Sequence, residues 1–389
     1  MQIRRAVVVG AGVAGLAVAG ALSRAGCKVT VLERSERLRA DRVGLLVWPN
    51  GVHALRALGL GPGLDEIAVP VTETVIRRPD GRVLTRSSML ALGERLGAPV
   101  VAVHQPDLHD ALVAALGDVE IHTGVHIDAI HTAGNRPPAV GDGSQWWEAD
   151  LVVAADGISS VVRLALAPEA GVTPAGYTTW RAVVPPHRLP DGITFGESVG
   201  AGYRFLITPL GSRGVAWVAV VPGAARPESP EVQLELLRRY FDGWHSPVGE
   251  LIAATRPEEL RQEAVADLDP LPRRFGFTMG GGGVAFVGDA AHAMTPNLGQ
   301  GACLALEDAV TLGRLMAAPE PSLEVVLSRY DRLRRRRATR LVRRSRRLGM
   351  FFGARGRFAV GARNTLLSAA PSGLLSRANA IAAAWLPPE

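Results

Sequence analysis

Three short blocks of the chain, residues 6–9, 151–155 and 284–287, are unbroken runs of small and branched apolar residues. An unbroken run of strand length fits a parallel strand covered on both faces, whereas a half-exposed strand would alternate apolar with polar positions. The first block runs into Gly10, Gly12 and Gly15, then a small-residue stretch at 13–25, then CKVTVLE, a second strand ending in Glu33. This reads as strand, tight turn, helix, strand. VTETVIRRPDGRVLTR, at 71–86, predicts two strands around a Pro-Asp-Gly turn, and QPDLHDALVAAL, at 105–116, predicts a helix with proline near its start. Between about 173 and 222, TTWRAVV, YRFLITPL and GVAWVAVV have strand length and are divided by Gly and Pro, which predicts an antiparallel sheet. Helical spacing returns at 230–242, GVAFVGD goes back to the buried parallel type, and long helices are predicted over 301–317 and 322–348.

The βαβ pattern is therefore interrupted twice by sheet-like segments. The predicted fold class is α/β, with a discontinuous Rossmann-like nucleotide-binding domain assembled from 1–70, 98–172 and 271–320. A second sheet domain is expected from 71–97 and 173–270, and a helical segment from 321–389. At 389 residues the chain is too long for one small core, which agrees with this division.

Composition adds limits. The apolar fraction of 47% is that of an ordinary globular protein. Cys27 and Cys303 sit in apolar contexts without metal-type partners and read as small buried hydrophobes in a reducing compartment, and no metal site is expected. No uncharged apolar run reaches the roughly 18 residues of a membrane-spanning helix, and the first residues enter a strand directly. The sequence thus reads as cytoplasmic.

Charge is local. Between Arg329 and Arg347 there are eleven arginines and one aspartate, a net +10, so the rest of the chain sums to 6 − 10 = −4. Lys28 is the only lysine. Tyr330, Leu333, Leu341 and Leu348 predict one apolar seam on this helix, with the basic remainder as a solvated face. A weak contact with an acidic partner or an anionic membrane surface is the other reading of that remainder. No nucleic-acid-binding motif accompanies it. The apolar tail from 366 to 389 could pack on the domain, on a second subunit in a homodimer, or on lipid.

Gly10-x-Gly12-x-x-Gly15 follows a strand and opens a helix, so backbone can approach a pyrophosphate whose charge the helix N-terminus favours. Ala14 lies in the same turn. Glu33, eighteen residues past Gly15, can accept hydrogen bonds from a ribose 2′-hydroxyl, which disfavours a 2′-phosphate and leaves NAD or FAD. A second strand end, Gly288-Asp289, stands before another helix start at Gly301. An acid there suits a polyhydroxyl chain such as ribityl, and the helix N-terminus suits an anionic ring edge. That combination selects FAD, with the ring at the turn from Pro296 to Gly301.

At this point the chain resembles the single-component FAD-dependent aromatic hydroxylases of the para-hydroxybenzoate hydroxylase type, over residues 4 to 345. GAGVAGL with Glu33, AADGISSVVR at 154–163 and GDAAHAMTPNLGQGACLALEDA at 288–309 carry the resemblance. RVGLLVWPNGVHALRALGL at 42–60 and GYTTWRAVV at 176–184 are similar to the salicylate and urate types. The resemblance implies an FAD-binding domain of the glutathione-reductase type, with the second sheet as a substrate domain. It places Arg34, Arg42 and Gln105 near the cofactor, although many relatives have arginine where Gln105 stands. Asp156 and Gly157, closed by Arg163, match a short motif tied to FAD and pyridine-nucleotide use. Gly288 and Asp289 match the ribityl or pyrophosphate contact. Pro296, Gly299, Gln300, Gly301 and Ala302 match the loop beside the ring. Pro296, Gly301 and Arg204 are the candidates for a direct part in catalysis. Trp180, Tyr203, Arg204 and Trp217 are candidate substrate contacts, although alternating aromatics on strands also fit core packing. Arg204 matches an arginine that urate types turn toward substrate, but the tyrosine paired with it there is replaced by Ala216. His292 reads as structural rather than as a base.

The implied activity is that of an FAD-dependent monooxygenase, an oxidoreductase of the kind found in bacterial secondary metabolism. NADH or NADPH would reduce the flavin, O2 would add to form a C4a-hydroperoxide, and an electron-rich aromatic or unsaturated small molecule would be hydroxylated or epoxidised. With no second glycine fingerprint, the nicotinamide nucleotide is expected to bind transiently. The alternatives on this fold are a double-bond reductase and a flavin-binding protein without turnover. Halogenation is disfavoured by the lack of a suitable lysine.

Overall fold

In the computed structural model, which describes residues 4–388 except 39, 133, 191, 320–321 and 371–378, the unbroken apolar blocks lie side by side. One six-stranded sheet runs in the order Gly276–Met279, Gly282–Phe286, Leu151–Ala154, Arg5–Val9, Lys28–Glu33, Val119–Thr123. All pairs are parallel except the first, a glycine-turned hairpin at the edge. Register sets Val9 beside Leu32 and Ala154, and Ala154 beside Phe286, so the four central strands end level with one another.

The reason these segments needed no polar face is their burial. Residues 6–9, 151–154 and 282–286 are all buried. Helices Val13–Arg24 and Gly301–Ala317 pack closely together, and a side chain at Gly313 would approach the Ala21 Cβ to 2.7 Å. Small residues on both helices are the cost of that close approach, and the burial of apolar surface it allows is the gain.

The second sheet has seven strands, in the order Arg261–Leu268, Val172–Val184, Val215–Pro222, Arg204–Pro209, Gly196–Val199, Glu73–Arg77, Val83–Ser88. Its pairs are antiparallel except Gly196–Val199 with Glu73–Arg77, so the sheet is mixed. Helices Pro230–Tyr240 and Val248–Ala254 contribute Leu234, Leu237, Leu251 and Ile252 to a core on one face of this sheet, together with Trp180, Phe205 and Trp217. Small sheets of Gly44–Val47, Val101–His104 and Val69–Pro70, and of Ala129–His131, Ala139–Gly141 and Trp146–Glu148, complete the strands.

The long helix extends from Leu323 to Phe352, and its seam differs from the expected one. Tyr330 and Leu341 are buried, but Leu333 is 46% exposed, and the buried line runs through Val326, Tyr330, Arg334, Ala338, Leu341 and Ser345. The expected solvated face is also corrected. Arg334 and Arg337 pair with Glu307, Arg334 with Asp308, Arg335 with Asp331, and Arg346 with Asp267 and Asp269. Arg332, Arg336, Arg340, Arg343 and Arg347 form the exposed remainder. Part of the apolar tail, 371–378, lies outside the described residues; beyond it Ala380, Ala382 and Ala383 are buried, and Arg337 donates to the Ala382 carbonyl. Cys27 and Cys303 are free and buried. No described helix is long and apolar enough to cross a membrane.

Candidate functional site

Four adjacent strand ends supply Glu33, the Gly10 turn, Asp156 and Asp289. Neighbouring strands lie about 4.8 Å apart, so the outer pair, Glu33 and Asp289, are separated by roughly 15 Å along the sheet edge. Two acids at that spacing can hold the two ends of one extended ligand.

The glycine turn between them divides its duties. Gly10 has φ of 101°, and a Cβ there would lie 2.5 Å from the Ala155 carbonyl oxygen; a Cβ on Gly15 would lie 1.8 Å from the Gly10 oxygen. Both glycines are therefore required by the chain itself. Gly12 is different: its φ of −72° is ordinary, and a Cβ there would meet nothing within 4 Å. Its smallness leaves space for something other than protein. Glu33 accepts from the Ala11 N–H at 2.8 Å and the Ser35 N–H at 2.9 Å. Burial alone would raise its pKa, but these backbone donors outweigh burial and pull it below the usual carboxylate value. Buried His109 bonds the Ala11 carbonyl through Nε2 at 3.0 Å and braces the turn from the other side.

At the far end, Gly288 packs against Ala14, with φ of 57° and no room for a Cβ, which would sit 2.6 Å from the Ala14 Cβ. Its N–H donates to Asp308 Oδ2 at 3.0 Å, and His292 Nε2 bonds the same oxygen at 2.6 Å. His292 is fully buried, in keeping with a structural role. Asp289 itself is open to solvent on one side while protein crowds the other. That crowding raises its pKa, against the attraction of His292 and Arg163. Burial likewise raises the pKa of Asp156, whose Oδ2 accepts from the Val161 N–H at 2.9 Å while Oδ1 has no partner among the described residues. Arg163 is buried and ties the two strand ends together, donating to the carbonyls of Gly157, Ile158 and Ala290. Burial lowers its pKa against the pull of Asp156 and Asp289.

No side chain caps helix Val13–Arg24 or helix Gly301–Ala317, so the N–H groups of their first turns, at Ala14, Gly301 and Ala302 among others, remain available. Before the second of these, Pro296–Leu298 forms a short turn, Pro296 is exposed, and Gly299 takes φ of 59° beside Trp48, whose Nε1 is buried without an acceptor among the described residues. A space beside Gly12, an unpartnered Asp156 oxygen, an open Asp289, an uncapped helix and an unpartnered indole N–H are together what an elongated, phosphate-bearing, hydrogen-bonding ligand would fill. The donor and acceptor set fits FAD.

Next to this turn is a chamber of about 190 Å³, lined by Leu46, Trp48, Ile76, Leu206, Leu298 and Phe352 among others. A larger cavity of about 410 Å³ lies beside Asp267, Asp269, Tyr177 and Arg346. Arg204 and Asn297 line both. The smaller one is the candidate reaction chamber, because it is mainly apolar and holds Pro296 and Gly299.

Several expectations are revised by side-chain direction. Trp180 and Trp217 are buried on the helix-covered face of the second sheet, with Nε1 donating to Gln233 and Thr255, each at 3.0 Å. Tyr203 packs on Tyr240 and Phe241. None of the three lines either of these two cavities, and their burial on the helix-covered face fits core packing. Arg204 does line the chamber, but its charge is met by Glu197 at 2.6 Å, its Nη1 donates to Asn297, and it lies over the Phe352 ring. The Gln300 side chain turns inward to Asn50 at 2.8 Å, so only its backbone can face a ligand. Arg34 and Arg42 are exposed and have no hydrogen-bond partner among the described residues. Gln105 opens its helix, its N–H bonded to Val43. Sequence analysis singled out none of Trp48, Asn50, His109, Asn297 and Arg344; the first four stand within quoted stretches, but nothing local marked any of them for a role.

The model of the FAD binding domain family matches residues 4–345. The chain is 31% identical over 369 residues to the aurachin C monooxygenase/isomerase of Stigmatella aurantiaca, covering 93% of each chain. It is 36% identical over 359 residues to the 3-amino-4-hydroxybenzoate 2-monooxygenase of Streptomyces cremeus, covering 90% of this chain and 87% of the other. The crystal structure of Klebsiella pneumoniae HpxO complexed with FAD and uric acid superposes with a TM-score of 0.88 at 27% identity, over 98% of this chain and 96% of that one.

Proposed function

The chain belongs to the single-component FAD-dependent monooxygenase family, and from that premise we propose that it uses NADH or NADPH and O2 to hydroxylate or epoxidise an electron-rich aromatic or unsaturated small molecule. The observation that carries this reading is the apolar chamber set directly against the turn from Pro296 to Gly299 and the uncapped start of helix Gly301–Ala317.

Bound FAD, once reduced, supplies the activated oxygen. Glu33, Gly12 and Asp289 would hold its adenosine ribose, pyrophosphate and ribityl regions in that order along the sheet edge. The N–H groups of Gly301 and Ala302 would stabilise negative charge at the ring, a task for preorganised donors in a site that excludes water. Leu46, Ile76, Leu206, Leu298 and Phe352 supply the dry walls, which matters because water admitted to such a site competes with oxygen transfer. Arg204 and Asn297, with Glu197 on the chamber side, lie between the chamber and the larger cavity. Urate is a poor candidate for the substrate: Arg204 is already neutralised, and Ala216 packs against Gly44 instead of offering a hydroxyl.

The test is NAD(P)H oxidation by the purified yellow protein against phenols, polycyclic aromatics and alkenes, with products identified by mass. Stimulation by one of them with a product one oxygen atom heavier supports the proposal. Flavin-loaded protein that is inert across the panel would sink it.

A further inference from the structure

Three charged side chains line the apolar chamber: Glu197, Arg204 and Arg344. The first two cancel, with Arg204 Nε and Nη2 both 2.6 Å from Glu197 Oε1. Arg344 comes from helix Leu323–Phe352 and has neither a hydrogen bond nor an ion pair among the described residues. Its half-buried guanidinium shares the chamber with Leu298, Leu348 and Phe352.

The rest of the helix makes this unusual. Where its arginines leave the surface at 334, 335, 337 and 346, each meets a carboxylate of the protein. Arg344 does not. Burial alone moves its pKa, downward, with no carboxylate to push it back. It still carries its charge, because a guanidinium does not deprotonate in proteins. A cation withdrawn from water without a counter-ion costs solvation that the chain does not recover by itself. The chamber therefore carries one uncompensated positive charge.

We propose that Arg344 anchors an oxyanion of the substrate, a carboxylate or an equivalent delocalised acid, so that the chamber selects an apolar ring or chain bearing one negative group. The planar fork of a guanidinium fits two carboxylate oxygens at once and fixes orientation as well as position. An anchor on the helix wall and the turn at Pro296 on another side would together decide which carbon of the ring meets the oxidant. This rests on the monooxygenase reading for the word substrate, but the anion selectivity stands on the chamber alone.

The experiment uses the FAD-loaded full chain and isosteric pairs: benzoate with benzamide, and 2-naphthoate with 2-naphthamide, titrated by calorimetry. The wild-type protein is expected to bind an acid roughly tenfold or more tightly than its amide. Arg344→Met is expected to remove that preference while leaving amide affinity within about twofold, Arg344→Lys to keep part of it, and Arg343→Met, on the exposed neighbour, to change nothing. Should Arg344→Met fail to retain FAD, Arg344→Lys and Arg344→Gln carry the comparison. No acid preference in the wild type, or equal weakening of acid and amide in the variants, overturns the proposal. Acid selectivity without any stimulated NAD(P)H oxidation would defeat the enzymology above and leave the anchor standing.

Discussion

Arg334 Nε donates to Asp308 Oδ1 across 2.6 Å in a place where neither side chain reaches solvent. The other oxygen of Asp308 receives the N–H of Gly288 and the ring of His292. An arginine in the basic helix thus fixes, through Asp308, the Gly288 N–H next to Asp289, and the apparent surface charge of that helix is partly a foundation of the proposed cofactor cradle.

Removing that arginine leaves buried Asp308 with only His292 and buried Glu307 with only Arg337 against their charges, and breaking a buried pair typically costs about 3–5 kcal/mol. Arg334→Met is therefore expected to lose most of its stability in urea unfolding and to purify with little flavin. Arg336→Met, on the exposed face, is expected within about 0.5 kcal/mol of wild type. Equal small effects would show that the buried pair is dispensable.

The same cluster sets an acid limit. Burial would raise the Asp308 pKa, but His292 and Arg334 outweigh it and hold it below the ordinary 3.8. A folded-state pKa below the unfolded one gives stability that is present above pH 3.8 and lost as pH falls through the folded value. Asp289 has the opposite sign: its folded pKa lies above 3.8, so its ionised form costs stability at neutral pH and the cost vanishes on acidification below 3.8. Asp289→Asn is thus expected to stabilise the apo-protein at pH 7, with no gain near pH 3. The same variant is expected to bind FAD roughly tenfold or more weakly, since a charged acceptor is lost. Thermal melts across pH with fluorescence titration of FAD test both halves.

Glycines in the turn separate folding from binding. Gly12→Val adds a Cβ that would have no protein atom within 4 Å, so apo-protein stability is expected to be near that of wild type while FAD binding is abolished. Gly15→Ala drives its methyl into the Gly10 carbonyl and is expected to damage the fold itself. If both variants lose stability equally, Gly12 is structural and the cradle has been misplaced.

The parts of this molecule that could be read from sequence are those whose physics is local. A parallel strand, its glycine turn and the helix behind it lie within 29 residues, from Arg5 to Glu33, and the burial of residues 6–9 follows from their lack of polar alternation. The second sheet was legible as strands but not as faces. Period two says that Trp180 and Trp217 share a character, while only the register, with Trp180 beside Ala219 and Trp217 beside Ile207, and the helices at 230–254 decide which face is core. The arginine run misled for a related reason. Partners such as Glu307 for Arg337 and Asp267 for Arg346 are 30 and 79 residues away, and no periodicity in one helix can announce them.

Two tryptophans now separate the chamber from the core. Trp48 Nε1 is a buried donor without an acceptor, beside Gly299 on the chamber wall. An unsatisfied buried donor is unfavourable by about 1–3 kcal/mol, so Trp48→Phe removes a liability while opening a small void. The two effects oppose, and apo-protein stability is expected to change by less than about 1 kcal/mol. Turnover is expected to fall about tenfold or more, because the lost donor is an N–H on the chamber wall, unpartnered among the described residues and able to meet a carbonyl or oxyanion of ligand. Trp180→Phe reverses this pattern. Its Nε1 donates to Gln233 Oε1, which would be left unpaired in the core, and a stability loss of about 1–3 kcal/mol is expected with kcat/KM intact. Urea unfolding and steady-state kinetics on the two variants check the assignment together. A Trp180 variant that keeps its stability but loses activity would return the aromatic face of the second sheet to the substrate site.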